Sequence, residues 1–204
     1  MLHILNHPLG AHILTHLRDR ATPPAAFRAF SHQIGILLAI EATRDLATRD
    51  HIIDTPLEQH TGQILAKPLA VVPILRAGLG MVQPFVDLFP DVSVGYVGLE
   101  RDHVTAVARS YYQKLPPLAG KRVLAVDPML ATGGSAVQAI GVLLAAGATD
   151  ISLVCIVASP EGVRAVEAAH PTVPIFTAAL DRELNGKKYI LPGLGDFGDR
   201  LYGT

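Results

Sequence analysis

The sequence predicts an α/β domain in which a mostly parallel sheet is covered by helices on both faces, and three observations carry that prediction. Strand-forming and helix-forming segments alternate repeatedly between Leu69 and Ala178. Leu69-Ala-Val-Val-Pro-Ile-Leu75 is a near-continuous apolar run, as a strand buried on both faces requires. From Arg122 to Ala146, a β-forming run leads into an acid, a small-residue loop and an apolar helix.

Taken in order, Pro8 to Arg20 and Pro23 to about Leu46 carry helical patterns, the second strongly apolar around Ile34 to Ile40, and together they read as a helical cap. His12 and His16 stand at i, i+4, but no Glu follows His12 and no third ligand is near, so a solvated helix face is the better reading. His51 to Lys67 alternates weakly around Thr61-Gly62 and suggests a short hairpin. The strand from Leu69 ends in Arg76-Ala77-Gly78-Leu79-Gly80, and Met81 to Phe89 reads as helix. A cation and glycines at the carboxyl end of a strand mark where ligands bind in open α/β sheets. Gln83 stands where a dinucleotide fingerprint needs its third glycine, so Arg76 points to an anion instead.

Val92 to Leu99 is the next strand. From Arg101 to Pro117 no period holds, as expected of a long active-site flap. Ile151 to Ala158 is a strand, Ser159-Pro160-Glu161 opens a helix reaching about Ala169, and Val173 to Ala178 is a further strand. The tail from Asn185 to Arg200 is rich in glycine and contains Gly-x-Gly-x-x-Gly at 193, 195 and 198, but too few residues follow for a dinucleotide-binding helix. These glycines serve either close backbone approach to something flat or a tight turn.

The central stretch is Asp127-Pro128-Met129-Leu130-Ala131-Thr132-Gly133-Gly134-Ser135, with Ser135 opening a helix. The first N–H groups of a helix have no partner within it, and the helix dipole adds positive partial charge, so a phosphate fits there. Gly133 and Gly134 let the backbone approach the anion, and the Thr132 and Ser135 hydroxyls can donate to it. A Walker loop would need a lysine, and none lies between Asp127 and Ser135. The acid suits a sugar instead, since a carboxylate accepts from ribose hydroxyls while the loop holds a 5′-phosphate. A strand-to-helix turn that merely favours Gly and Ser is the plain alternative at this point.

With 204 residues, 50% hydrophobic and 17% charged, the chain is one domain or a domain with a small appendage, and is not disordered. No apolar run approaches the roughly 20 residues that span a bilayer. The amino terminus has neither the basic start nor the apolar core of a signal peptide, so a cytoplasmic protein is expected. A net charge of −1 gives no footprint for nucleic acid or anionic lipid. Cys155, the one cysteine, reads as a buried strand residue rather than a nucleophile.

On these residues the chain resembles the uracil phosphoribosyltransferases, which are type I phosphoribosyltransferases. The resemblance runs from His7-Pro8-Leu9 through Glu41-Ala42-Thr43, Val72 to Met81, Asp127 to Ser135 and Pro160-Glu161-Gly162 to Tyr189-Ile190-Leu-Pro-Gly-Leu-Gly-Asp-Phe-Gly-Asp199. It implies a single domain with a core at about 68–180 and a small hood from about 1–67 and 181–204. The implied reaction joins uracil to 5-phosphoribosyl 1-pyrophosphate, giving UMP and pyrophosphate, with Mg²⁺ held through the substrate. By resemblance, Arg76 and Arg101 match pyrophosphate-contacting positions, Asp127 to Ser135 hold ribose and 5′-phosphate, and Ile190, Gly195, Asp196 and Phe197 match the uracil site. Related enzymes often carry two adjacent acids where this chain has Asp127-Pro128, and Asp196 is the candidate to replace the missing carboxylate through magnesium or its water shell. The resemblance further implies a non-proline cis peptide at Arg76-Ala77 and a homodimer, and leaves GTP activation and larger assemblies open. Two departures stand out: His103 to Ser110 lack the carboxylate and prolines usual in the flap, and Glu100 occupies a place that is often aromatic. A purine or other pyrimidine phosphoribosyltransferase would share the central loop but not the tail, and an RNA-binding sensor on this fold would need a basic face that the chain lacks.

Overall fold

The computed structural model describes the backbone of residues 1–101 and 108–204 and the side chains of 1–99 and 111–204. The flap residues His103 to Val107 lie outside the described residues. The chain opens with strand β1 (Leu2–Ile4), helix α1 (Pro8–Arg18) and helix α2 (Pro24–Ala42). Pro8 sits where a helix needs no N–H, and His7 caps α1, its Nδ1 accepting from the Leu9 N–H at 3.1 Å.

A two-stranded arm follows, β2 (Thr48–Asp54) paired antiparallel with β3 (Gln59–Leu65). Its turn is at Thr55–Glu58 rather than at Thr61-Gly62, where the sequence suggested it. The Thr55 Oγ1 accepts from the Leu57 and Glu58 N–H groups and donates to the Glu58 carbonyl, an Ser/Thr-type turn that Pro56 reinforces. Gly62 lies within the ladder opposite His51.

The main sheet is built from β4 (Leu69–Leu75), β5 (Ser93–Val94), β6 (Tyr96–Arg101), β7 (Ala108–Lys114), β8 (Arg122–Val126), β9 (Met129–Leu130), β10 (Asp150–Ala158) and β11 (Ile175–Leu180), with β1 at one edge. Its order is β1-β11-β10-β8-β4-β6-β7, with β5 pairing β4 and β9 pairing β10. All pairs are parallel except β6 with β7. Helix α3 (Val82–Leu88) follows a 3₁₀ turn at Ala77–Met81, while α4 (Gly134–Ala145) and α5 (Pro160–Ala169) make the next crossovers. The tail forms β12 (Glu183–Leu184), β13 (Ile190–Leu191) and α6 (Phe197–Tyr202).

Strand alternation divides the core into two layers. Val71, Leu124, Val126, Val154 and Ile156 point to one face, against Phe27, Ile34 and Leu38 of α2, Phe85 of α3 and Phe197 and Leu201 of α6. Ala70, Val72, Val123, Ala125, Leu153 and Cys155 point to the other, against Ala139, Ile140 and Leu143 of α4 and Val163 and Val166 of α5. Helix α2 is therefore one layer of the core and not a separate cap, because its apolar stretch has the sheet to cover. Cys155 is fully buried, its thiol pushed up to about 12 by desolvation, as the packing reading requires.

Strands β4 and β8 are neighbours, yet the chain leaves β4 toward β6 on one side and leaves β8 toward β10 on the other. A crevice opens between their carboxyl ends at such a reversal. Arg76 follows β4 and Asp127 follows β8 at this place.

Candidate active site

The loop after β8 folds around a cavity of about 150 Å³ lined by Asp127, Met129, Leu130, Ala131, Thr132, Gly133, Ser135 and Ala136. Helix α4 begins at Gly134, one residue before the Ser135 start read from the sequence, with Gly133 as its N-cap at φ 81°. A side chain at Gly133 would be strained in that conformation, and its Cβ would stand 2.8 Å from the Gly162 carbonyl. No side chain caps α4, so its first N–H groups remain for an anion. The loop's carbonyls turn instead toward α5. The Ser159 N–H donates to Leu130 O at 2.9 Å and its hydroxyl to Ala131 O at 2.6 Å, while the same hydroxyl accepts from the Gly162 N–H. Fixed in this way, the loop is a preformed cradle of partial positive charge.

Asp127 stands at the entrance to this loop. Desolvation pushes its carboxyl up to about 7, opposed by a backbone hydrogen bond from Met129. The turn after β4 is pressed against β8, since a Cβ on Gly78 would lie 2.5 Å from the Val126 carbonyl. A non-proline cis peptide is present at Leu75-Arg76, one bond before the expected Arg76-Ala77 position.

A second cavity, of about 230 Å³, shares Met129 and Ala131 with the cradle and is closed by Ala77, Lys188, Tyr189, Ile190, Gly195, Asp196, Phe197 and Gly198. Ile190 and Phe197, which line it, are buried in the core. Gly80 permits this placement: a Cβ there would stand 2.9 Å from the Phe197 ring and 2.7 Å from Leu201. A third cavity, of about 300 Å³, shares Ala77, Asp196 and Gly198 with the second and adds Arg76, Asp199, Tyr202 and Thr204. Asp196 thus lies on the wall between two cavities. It is exposed there and caps α6, accepting from the Asp199 N–H at 3.0 Å.

The structure accordingly brings Arg76, Asp127, Met129 to Gly133, Ser135, Ile190, Gly195, Asp196 and Phe197 onto one chain of cavities with shared walls, while Gly134 lines none of them. Pro128 is buried behind the loop, its carbonyl taken by the Ile156 and Val157 N–H groups. Arg101 ends β6, and its side chain lies outside the described residues. Lys188, Tyr202 and Thr204 were not among the expected site residues. Lys188 is the one non-glycine residue at positive φ among the described residues, at 67°, a conformation without a sequence signature outside glycine, Asn and Asp. A larger cavity of about 430 Å³ lies at the opposite end of β4, between Arg49, Lys67, Leu88, Phe89 and Asp91, away from every loop just described. Size alone does not mark the site.

Comparison with known proteins agrees with this geometry. The family model described as uracil phosphoribosyltransferase matches residues 4–204. A uracil phosphoribosyltransferase of Roseiflexus castenholzii is 51% identical over 202 residues, covering 98% of this chain and 97% of the relative. The solved AQ2163 protein from Aquifex aeolicus superposes with a TM-score of 0.95 at 36% identity, covering 100% of this chain and 99% of that one. A hypoxanthine-guanine phosphoribosyltransferase from Bacillus anthracis superposes with a TM-score of 0.55 at 11% identity over 76% of this chain and 79% of its own, and shares the fold alone. A match that runs through the cradle and on through the tail is more than a common sheet, and the chain belongs to the uracil phosphoribosyltransferase family.

Proposed function

We propose that the protein transfers the 5-phosphoribosyl group from 5-phosphoribosyl 1-pyrophosphate to uracil, giving UMP and pyrophosphate. The observation that carries this is the shared wall at Met129 and Ala131, which joins a cradle for a phosphate to a second cavity formed with the tail. A nucleoside monophosphate needs those two environments side by side.

In the reaction, the bond from the anomeric carbon to the pyrophosphate oxygen breaks as a bond to the ring nitrogen of uracil forms, and that nitrogen loses its proton. Positive charge develops on the sugar and negative charge on the leaving group, so placement and electrostatics supply most of the catalysis. The N–H groups at the start of α4, with the Thr132 and Ser135 hydroxyls, hold the 5′-phosphate. Asp127 accepts from the ribose hydroxyls, and once ionised it favours the developing sugar cation. Arg76, with Arg101, meets the pyrophosphate. Main-chain atoms at Ile190 and Gly195 to Phe197 read the base with a donor and acceptor polarity that cannot flip, so cytosine leaves a polar group unpaired at a cost of about 1–3 kcal/mol.

Magnesium bound to the pyrophosphate would neutralise charge on the leaving group. An ion of this kind keeps several waters and would be bound mainly through the substrate's phosphate oxygens. The exposed carboxylate of Asp196, beside Arg76, could hold that water shell.

We further propose a homodimer acting in the cytoplasm. The arm β2–β3 supports the assembly, because Ile52, Ile53 and Leu57 on it are exposed, uncovered by any of the described residues. No helix among the described residues is long and apolar enough to cross a membrane, and a lone buried thiol fits a reducing compartment. The test of the activity is a steady-state comparison of uracil, cytosine, adenine and hypoxanthine as acceptors. UMP formed from uracil at far the highest kcat/KM is the expected result, and preference for a purine would overturn it.

A further inference from the structure

We propose that Arg18 and Asp181 are positioning residues for base recognition, acting on the substrate only through the main chain of Gly193. The inference rests on reading Ile190 to Phe197 as the base site.

Asp181 directly follows β11, at the carboxyl end of a parallel strand, and its side chain is 4% exposed. Arg18 is the last residue of α1. The two meet in a bidentate pair, Nη2 to Oδ1 at 2.6 Å and Nη1 to Oδ2 at 2.9 Å. Both then turn to the same residue of the tail. Arg18 Nη1 donates to the Gly193 carbonyl at 2.7 Å, and the Gly193 N–H donates to Asp181 Oδ2 at 2.9 Å. The donor and the acceptor of one glycine are thus held by a charged pair from two distant elements. Gly193 itself sits at φ 59°, where a Cβ would collide with the Ile190 carbonyl, so no other residue brings the main chain so close to Ile190.

The next carbonyl is held too. Arg200 Nη1 donates to Leu194 O at 2.8 Å, and its Nη2 to Asp19 O, one residue beyond Arg18. Neither Gly193 nor Leu194 lines the base cavity, whereas Ile190 before them and Gly195 to Phe197 after them do. The clamp occupies the polar atoms between the two reading segments and leaves the segments themselves for the ligand. Recognition by main-chain groups requires such fixing, because a misplaced N–H cannot be corrected by a rotamer change.

Stability is a poor reason for this arrangement. A buried ion pair recovers little more than its desolvation cost, and an apolar pair of similar size is often as stable. What the pair adds is direction, since both ends of Gly193 are specified at once.

The experiment is steady-state kinetics on the full-length enzyme with Asp181→Asn, Arg18→Gln and Arg18→Lys, run well below each variant's Tm. In Asp181→Asn and Arg18→Gln the KM for the base rises about tenfold or more, and the KM for 5-phosphoribosyl 1-pyrophosphate stays within about twofold. The preference for uracil over cytosine narrows, and Arg18→Lys, which keeps the charge and can reach both acceptors, recovers part of the loss. A fall in kcat with both KM values unchanged, or an equal rise in both, would overturn the clamp. Should Asp181→Asn fail to fold, the two Arg18 variants decide the question alone. If the wild-type enzyme prefers a purine, the functional reading fails while the KM split for that purine still tests the clamp. No turnover with any of the four bases would end both.

Discussion

Asp127 sets a pH dependence that stability measurements can read. Its carboxyl moves from the ordinary 3.8 to about 7 in the folded chain. Below about pH 4 it is protonated in both states and contributes nothing. Between about pH 4 and 7 the unfolded chain gives up its proton while the folded one keeps it, so the unfolded state binds fewer protons and stability falls as pH rises. Above about 7 the loss is complete, at most about 4 kcal/mol. Asp127→Asn should therefore raise the Tm at pH 8 with little change at pH 4, while impairing turnover. A Tm gain equal at both pH values would show that burial of the charge is not the cause. Arg76 calls for a different measurement. Arg76→Ala should lower kcat/KM by about 10²–10³ with an unchanged Tm, as its proposed contact with the leaving group requires. The roles of these residues were suggested in the sequence by acid, cation and glycine at strand ends, since the crevice rule needs only the order of segments. Lys188, Arg18 and Asp181 were not legible in that way. A positive φ at a lysine, and an ion pair between α1 and the end of β11, depend on how distant segments come to rest against one another.

At the scale of elements, the junction of β8, loop and α4 is the part that tolerates least change. Gly133→Ala meets both the left-handed backbone and the Gly162 carbonyl, so it should destabilise the protein by about 1–3 kcal/mol and raise the KM for 5-phosphoribosyl 1-pyrophosphate more than that for uracil. Differential scanning calorimetry and initial rates check the two halves. Helix α2 behaves as core. Phe27 is fully buried and meets the Phe197 ring edge-on at 5.4 Å, so Phe27→Ala should cost about 3–5 kcal/mol in chemical denaturation. The apolar run from Ile34 to Ile40 read as part of a helical cap and not as a layer of the core, because periodicity reports a face and not what covers it. The arm shows the converse. Thr61-Gly62 looked like the turn, but Thr55 and Pro56 carry the better turn chemistry, and glycine is tolerated in a ladder as exposed as this one.

For the whole molecule, the parallel sheet followed from segment order alone, while assembly did not, since an exposed residue has no period. The proposed homodimer is tested by Ile52→Lys with Leu57→Glu, which should leave a monomer in sedimentation velocity without lowering stability by more than about 1 kcal/mol. A dimer that survives this change would assign the interface elsewhere. Leu2 of β1 lies beside Ile175 of β11, and Phe197 and Leu201 of α6 fill the layer against α2. Until those tail residues are in place, the part of α2 that meets Phe197 and Leu201 stays uncovered. A chain cut before Phe197 should therefore leave an apolar patch open to solvent and aggregate, rather than persist as a slower enzyme.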